Sequence, residues 1–129
     1  MPLIRIDMIE GRSDAEMKAL LDAVHRAMVA AFKVPERDRY QIARQHPPSR
    51  MIVEDTGLGI PRGDKVVVIQ VTSRPRSREM KEAFYRLLVE ELEASCGIAP
   101  SDVMVSIVTV SDEDWSFGHG RAQFLTGEL

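Results

Sequence analysis

A pattern of strand, capped helix and strand occurs twice along this chain, and this repeat restricts the possible folds more than any other feature. In the first copy, residues 2–8 alternate between apolar and polar side chains, as expected of a strand with one buried face. Ser13 and Glu16 then have the spacing of a capping box, and apolar residues recur at helical intervals until Pro35 ends the pattern. The first copy therefore predicts a strand followed by a helix.

The second copy repeats this order, with Met17-Lys18 recurring as Met80-Lys81 at an offset of 63 residues. Residues 66–71 are a predicted strand, a helix begins after Ser77 and ends at Gly97, and residues 103–110 are a further strand. Residues 40–43 and 51–53 are predicted short strands, and the glycine-rich residues 56–63 are a predicted loop. We predict an α+β fold with a duplicated β-α-β unit and helices on one face of a mixed sheet. A single domain is expected over residues 1–129, with pseudo-repeats at about 2–54 and 65–110 and a C-terminal tail at 111–129.

The charge balance and the cysteine content exclude several classes of function. The chain has 129 residues, and 17 Lys and Arg against 20 Asp and Glu give a net charge of −3, so neither nucleic acid nor an anionic membrane is an expected partner. Cys96 is the single cysteine, which favours the reducing cytoplasm over a disulfide-linked, exported protein. The apolar runs are far shorter than the ~20 residues of a membrane span. We expect a cytoplasmic protein whose mature form starts at, or next to, Met1.

Two strands have more apolar surface than one layer of helices can cover. Residues 66–69 and 103–108 are apolar on both faces, which predicts that a second subunit covers the face opposite the helices. A homo-oligomer is therefore expected. The aperiodic tail carries Trp115, Phe117 and Phe124, and we expect these aromatic side chains to pack on the rest of the protein.

Pro2 is a candidate catalytic amine. Once an initiator methionine is removed, an N-terminal proline is a secondary amine that can act as a base, an acid or a Schiff-base former. A proline at this position is also common as a rigid start to a strand, and the residue by itself does not decide between these interpretations.

Two arginines lie between a buried strand and the start of a helix, in Ser73-Arg74-Pro75-Arg76-Ser77. Guanidinium groups beside a helix N-terminus can bind a carboxylate or a phosphate, although surface arginines are more often solvated or paired with acids. Asp38 follows the first helix among further arginines, where an acid is ordinarily a cap or an ion-pair partner.

No metal or cofactor site is expected. His25, His46 and His119 share no metal-ligand spacing, and residues 57–59 lack the lysine and the strand-to-helix context of a phosphate loop. The acidic residues 112–114 are expected to form a solvated turn rather than a metal cluster.

Together these segments resemble the tautomerase superfamily, whose members use an N-terminal proline. The Met1-Pro2 start and the β-α-β repeat carry the general likeness, and within the superfamily the chain resembles the malonate semialdehyde decarboxylases. The motifs that carry this closer likeness are Pro2-Leu3, Glu10-Gly11-Arg12, Pro35 through Tyr40, Glu54 through Gly59, Ser73 through Ser77, and Asp114 through Gly118. Of these, Arg74-Pro75-Arg76 and Trp115-Ser116-Phe117 are the most specific, because the short tautomerases lack them.

The resemblance implies a site and an assembly. The residues with implied roles are Pro2 as the catalytic amine, Asp38 acting beside it, Arg74 and Arg76 as catalytic and substrate-binding arginines, and Trp115, Phe117 and Phe124 as a hydrophobic wall. It further implies a homotrimer with one site per chain, since the second repeat begins near Lys65 without a proline equivalent to Pro2.

The implied activity is the decarboxylation of a small 3-oxo acid, malonate semialdehyde, to acetaldehyde and CO2. A cationic Pro2 would stabilise the negative charge that develops on the carbonyl oxygen, while the arginines hold the carboxylate out of the carbonyl plane. A Schiff base through Pro2 would provide the same electron sink. Two other readings stay open: a hydratase or tautomerase acting on small unsaturated or 2-oxo acids, and a non-catalytic trimer that binds a partner protein.

Overall fold

The computed structural model describes residues 2–129, in which two long helices pack against one face of a four-stranded sheet. The elements in chain order are β1 (Leu3–Ile9), α1 (Asp14–Phe32), β2 (Tyr40–His46), β3 (Val67–Ser73), α2 (Arg78–Cys96), β4 (Val103–Thr109) and the short α3 (Gln123–Thr126). Single 3-10 turns lie at Pro48–Arg50, Pro100–Asp102 and Asp112–Asp114.

The sheet has the strand order β2-β1-β3-β4 and mixed directions. β1 pairs in parallel with β2, and β3 with β4, because a helical crossover returns each second strand in the direction of the first. The two units meet through the antiparallel pair β1 and β3, in which Ile6 lies opposite Ile69. This arrangement confirms the predicted duplicated β-α-β fold with helices on one face of a mixed sheet.

Both helices begin and end where the sequence predicts. The Ser13 hydroxyl accepts a hydrogen bond from the Glu16 amide at 3.2 Å, and the Glu16 carboxylate accepts one from the Ser13 amide at 3.0 Å, which completes the capping box of α1. Ser77 caps α2 in a similar way, and Gly97 ends that helix with a left-handed φ of 64°. Among the described residues, no helix is both long enough and apolar enough to cross a bilayer.

The core lies between the helices and the inward face of the sheet. Alternate residues of β1 and β3 point to the helices and are buried, as expected of strands with a period of two. The largest fully buried side chains include Phe32 of α1, Phe84 of α2, Ile6 and Met8 of β1 and Ile69 of β3.

Residues 51–53 are not a strand, and this prediction was wrong. Pro47 and Pro48 follow β2, and because proline has no amide hydrogen, the ladder cannot continue through them. A 3-10 turn then carries the chain away from the sheet, and the Ile52 side chain is 85% exposed. Residues 56–63 form the predicted loop.

Candidate active site

The residues predicted to carry chemistry converge at one edge of the sheet. β1 begins at this edge directly after the buried Pro2, and its first residue, Leu3, lies opposite Tyr40 of β2 and Thr72 of β3. The start of β2 and the end of β3 therefore flank the chain where Pro2 precedes β1. Met1, whose removal is expected from the sequence, lies outside the residues that the structure describes.

Asp38 is a buried carboxyl group two residues before β2. Its side chain is 7% exposed, and within residues 2–129 its Oδ2 atom has no hydrogen-bond partner. Burial raises the pKa of Asp38, whereas the positive charges of Arg76 and His25 act in the opposite direction. An unpartnered buried oxygen is costly for a protein to retain, so this oxygen is available to a ligand or to a nearby amine.

Arg74 follows β3 and is held from two sides. Its Nε donates to Asp112 Oδ1 at 2.6 Å and its Nη2 to Asp112 Oδ2 at 3.2 Å. The guanidinium carbon lies 4.3 Å from the centroid of the Phe124 ring, which is a cation–π distance. These contacts fix the plane of the guanidinium group.

Arg76 follows Pro75 and lies two residues before the start of α2. Its Nε donates to the fully buried Ser73 hydroxyl at 3.2 Å, and its guanidinium carbon lies 5.2 Å from the centroid of the Phe32 ring. Burial lowers the pKa of Arg76, the charge of Arg74 adds to this effect, and Asp38 opposes it. The two arginines and Asp38 therefore interact electrostatically in one place.

The tail packs on the chain, as its aromatic content predicts. Trp115 and Phe117 stack with ring centroids 5.6 Å apart and planes inclined by 9°, and Phe124 meets the edge of Phe117 at 5.5 Å. Tyr40 adds a fourth ring, 5.6 Å from Phe117. The four residues form an aromatic cluster, Tyr40, Trp115, Phe117 and Phe124, beside the two arginines.

Gln123 connects the two parts of the tail that carry Phe117 and Phe124. Its side-chain oxygen accepts a hydrogen bond from the Phe117 amide at 2.9 Å, and its amide nitrogen donates to the Gly118 carbonyl at 2.9 Å. Gln123 is 9% exposed, so both bonds are shielded from water. The backbone that carries Phe117 is therefore anchored to the short helix that carries Phe124.

A shallow cavity of about 270 Å³ joins Asp38 to the aromatic cluster. The residues that line it are Pro35, Arg37, Asp38, Tyr40, Phe117 and Leu129. Pro2, Arg74 and Arg76 are not among these lining residues, so the cavity marks only the Asp38 side of the candidate site.

The structure does not bring a metal-binding set together. Across residues 2–129, no three His, Cys, Asp or Glu side chains lie close enough to hold one ion. Asp112 forms an ion pair with Arg74. Asp114 accepts hydrogen bonds from the backbone amide and the hydroxyl of Ser111, and both bonds lower the pKa of Asp114.

Four contributors to this region were missed in the sequence. Ser73 holds Arg76, Asp112 holds Arg74, Gln123 holds the tail, and Tyr40 extends the aromatic cluster. Tyr40 could have been found, because an aromatic residue at a strand start two positions after Asp38 is a visible signal. The other three depend on partners 3 to 38 positions away, and no pattern in the sequence links them.

Comparisons with known proteins identify the family of this chain. Two family models, each described as a tautomerase enzyme, match residues 38–118 and residues 2–60. The chain belongs to the tautomerase superfamily. The probable tautomerase YrdN of Bacillus subtilis (strain 168) is 57% identical over 129 residues, which is the full length of both chains.

Two solved structures show how closely the fold is shared within the superfamily. A solved structure of malonate semialdehyde decarboxylase matches with a TM-score of 0.96 and 57% identity over 98% of each chain. That structure is described as a basis for the decarboxylase and hydratase activities of the enzyme. FG41 malonate semialdehyde decarboxylase inhibited by 3-bromopropiolate matches with a TM-score of 0.93 and 45% identity, covering 98% of this chain and 97% of that one.

Proposed function

We propose that this tautomerase-superfamily protein decarboxylates malonate semialdehyde, a small 3-oxo acid, to acetaldehyde and CO2 without a cofactor. The observation that carries the proposal is the convergence of Arg74, Arg76 and the unpartnered Asp38 carboxyl beside an aromatic cluster, at the sheet edge where Pro2 precedes β1. The similarity to malonate semialdehyde decarboxylase supports it, because that similarity spans nearly the whole chain.

The chemistry requires positive charge at the carbonyl oxygen. As the bond between the carboxylate carbon and C2 breaks, its electron pair forms a carbon–carbon double bond and the carbonyl electrons move to oxygen. A cationic Pro2 stabilises that oxygen and supplies the proton that then converts the enolate to acetaldehyde. This role needs a free amine, and therefore a chain from which Met1 has been removed.

Asp38 acts by keeping Pro2 cationic. An ionised carboxylate near an amine favours the charged form of the amine and raises its pKa. Burial raises the pKa of Asp38, whereas the charge of Arg76 favours its ionised form. Arg76 thus serves the proposed mechanism twice, once on the substrate and once on Asp38.

The arginines hold the substrate carboxylate, and the aromatic cluster disfavours its charge. Guanidinium donors fix the carboxylate out of the carbonyl plane, which aligns the breaking bond with the carbonyl π system. The apolar rings of Trp115 and Phe117 stabilise neutral CO2 better than the carboxylate from which it forms.

A hydratase acting on small unsaturated acids is the second candidate. The solved malonate semialdehyde decarboxylase is described with a hydratase activity as well, and the unpartnered Asp38 Oδ2 could accept a proton from water. The product separates a hydratase from a decarboxylase. The protonation state of Pro2 separates a tautomerase from a decarboxylase, because a cationic amine serves decarboxylation and a neutral amine serves proton shuttling. A titration of the Pro2 amine by NMR is the discriminating measurement.

Incubation of the purified protein with malonate semialdehyde tests the proposal, with acetaldehyde as the measured product. We expect acetaldehyde at a rate proportional to enzyme concentration, and loss of turnover in a preparation whose intact mass shows retained Met1. We also expect 3-bromopropiolate to inhibit it. If no acetaldehyde forms, and small unsaturated and 2-oxo acids are neither hydrated nor tautomerised in parallel assays, a non-catalytic binding protein is the better interpretation.

We propose a homotrimer as the assembly. Ile42, Met104 and Val108 lie on the sheet face opposite the helices, and each is about two-fifths exposed in the single chain. Apolar residues on a free sheet face are best explained by a covering subunit. The cytoplasmic location expected from the single cysteine stays a prediction.

A further inference from the structure

We propose that Asp112 is a positioning residue that orients Arg74 and limits how tightly Arg74 binds the substrate carboxylate. The inference rests on the proposed decarboxylation and deepens its account of the anion site. Three observations carry it: the paired contact between the two side chains, the ring on the guanidinium face, and the backbone that fixes Asp112.

The paired contact leaves one edge of Arg74 open. A guanidinium group has five N–H donors, and Asp112 accepts from Nε at 2.6 Å and from Nη2 at 3.2 Å. Phe124 covers one face of the group, at 4.3 Å from Cζ. The Nη1 donors and the second Nη2 donor point along the remaining edge, and a planar carboxylate can meet them there in a second two-bond contact.

The backbone fixes Asp112 relative to Arg74. The Val110 amide donates to the Ser73 carbonyl at 2.9 Å, which joins the residue after β4 to the last residue of β3. Ser111 and Asp114 then form a capping box around the 3-10 turn that begins at Asp112. The Asp112 carboxylate is therefore held beside Arg74 by structure on both sides of it in the chain.

The Asp112 carboxylate beside Arg74 favours the chemical step because the negative charge on the substrate carboxylate disappears during the reaction. Arg74 binds the substrate as an anion, but the carboxyl group leaves as neutral CO2. An interaction that is stronger in the bound substrate than in the transition state slows the chemical step. By partly neutralising Arg74, Asp112 weakens the ground-state interaction while it keeps the donors in place.

The Asp112→Asn variant tests this inference through two readouts. Malonate is the probe for binding, measured by calorimetry, and we expect its Kd to fall by about twofold to fivefold, the size of an exposed charge interaction. With malonate semialdehyde, we expect KM to fall and kcat to fall with it. A purely structural role predicts the opposite change in binding, because a loosened Arg74 would raise both the malonate Kd and KM.

Glu113→Gln is the matched control. Glu113 is exposed in the same turn, so this variant removes the same charge next to Asp112. We expect its malonate Kd to stay within about twofold of wild type. In an Arg74→Ala background, Asp112→Asn should change the malonate Kd no further, since the effect acts through Arg74.

Weaker malonate binding by a folded Asp112→Asn protein would overturn the inference. So would an equally large fall in the malonate Kd when Asp112→Asn is introduced into the Arg74→Ala protein. If Asp112→Asn does not fold, Asp112→Ser provides the same neutral replacement and the same comparison. Malonate binding needs no turnover, so an absence of acetaldehyde from the wild-type protein contradicts the proposed function and leaves this test standing.

Discussion

At the scale of single residues, Arg76 gives the most direct test of the proposed anion site. Arg76→Ala removes a charge-assisted hydrogen bond worth about 1.5–3 kcal/mol, so kcat/KM for malonate semialdehyde should fall roughly tenfold to a hundredfold. Arg76→Lys should also lower kcat/KM, because a point charge cannot both reach Ser73 and lie over Phe32 as the planar guanidinium group does.

The control for Arg76 lies two residues further along. Arg78→Ala removes an 85%-exposed arginine that pairs with Glu82 on the helix surface, and its kcat/KM should stay near wild type. Circular dichroism and sizing establish that each variant is folded. Near-full activity in a folded Arg74→Ala, Arg76→Ala protein would move the anion site elsewhere.

Asp38 links activity to stability through its burial. Because burial raises the pKa of Asp38 in the folded state above the ordinary value of 3.8, the folded chain binds the proton more tightly than the unfolded chain. Stability is therefore lost as pH rises from about 4 through the folded-state pKa. Asp38→Asn removes this titration, so Tm should change less between pH 4 and pH 7.5 in the variant than in wild type.

The same substitution should lower activity. Without an ionised carboxylate near Pro2, the amine loses its stabilising partner, and kcat/KM should fall by at least about tenfold. Tm at several pH values and the rate of acetaldehyde formation are the measurements. A folded Asp38→Asn variant with full activity at pH 7.5 would contradict the role proposed for Asp38.

At the scale of elements, the tail depends on Gln123. Gln123→Ala removes both hydrogen bonds and leaves the Phe117 amide and the Gly118 carbonyl without partners, a loss of about 1–2 kcal/mol. We expect the emission of Trp115, the single tryptophan, to shift to the red and kcat/KM to fall about fivefold to thirtyfold. Leu125→Ala, at a 62%-exposed position of the same helix, should change neither quantity.

At the scale of the whole molecule, the sheet face opposite the helices is the proposed interface of the homotrimer. In solution the protein should have about three times the chain mass of 14.5 kDa, measured by light scattering. Val108→Glu introduces a charge into the proposed interface, where an unpaired buried charge is strongly unfavourable, and it should dissociate the trimer. Arg86→Glu alters charge on the exposed surface of α2 and should leave the mass unchanged. A monomeric wild-type protein would contradict the assembly.

The sequence was sufficient for the repeated elements of the fold. Alternating residues in β1, the Ser13 capping box and Gly97 after α2 are local signals, and each acts on the backbone within a few residues of itself. The wrong prediction, a strand at residues 51–53, had the same apolar character but lacked a partner, and strand pairing is a property of the sheet rather than of the segment.

The sequence predicted several of the residues that belong to the candidate site, but it did not predict which of them are in contact. Arg74, Arg76, Asp38 and the tail aromatics were identified from their chemistry and from the family resemblance, because reactive side chains and paired guanidinium groups are visible in the sequence. The contact of Arg74 with Asp112 across 38 positions exists because the parallel pairing of β3 with β4 brings together the residues that follow the two strands. The contacts of Gln123 lie within the tail, and they depend on how the tail turns back on itself. Local hydrophobic periodicity and capping therefore determined the elements, whereas the pairing of strands decided which charges meet, since electrostatic contacts depend on distance in space and not along the chain.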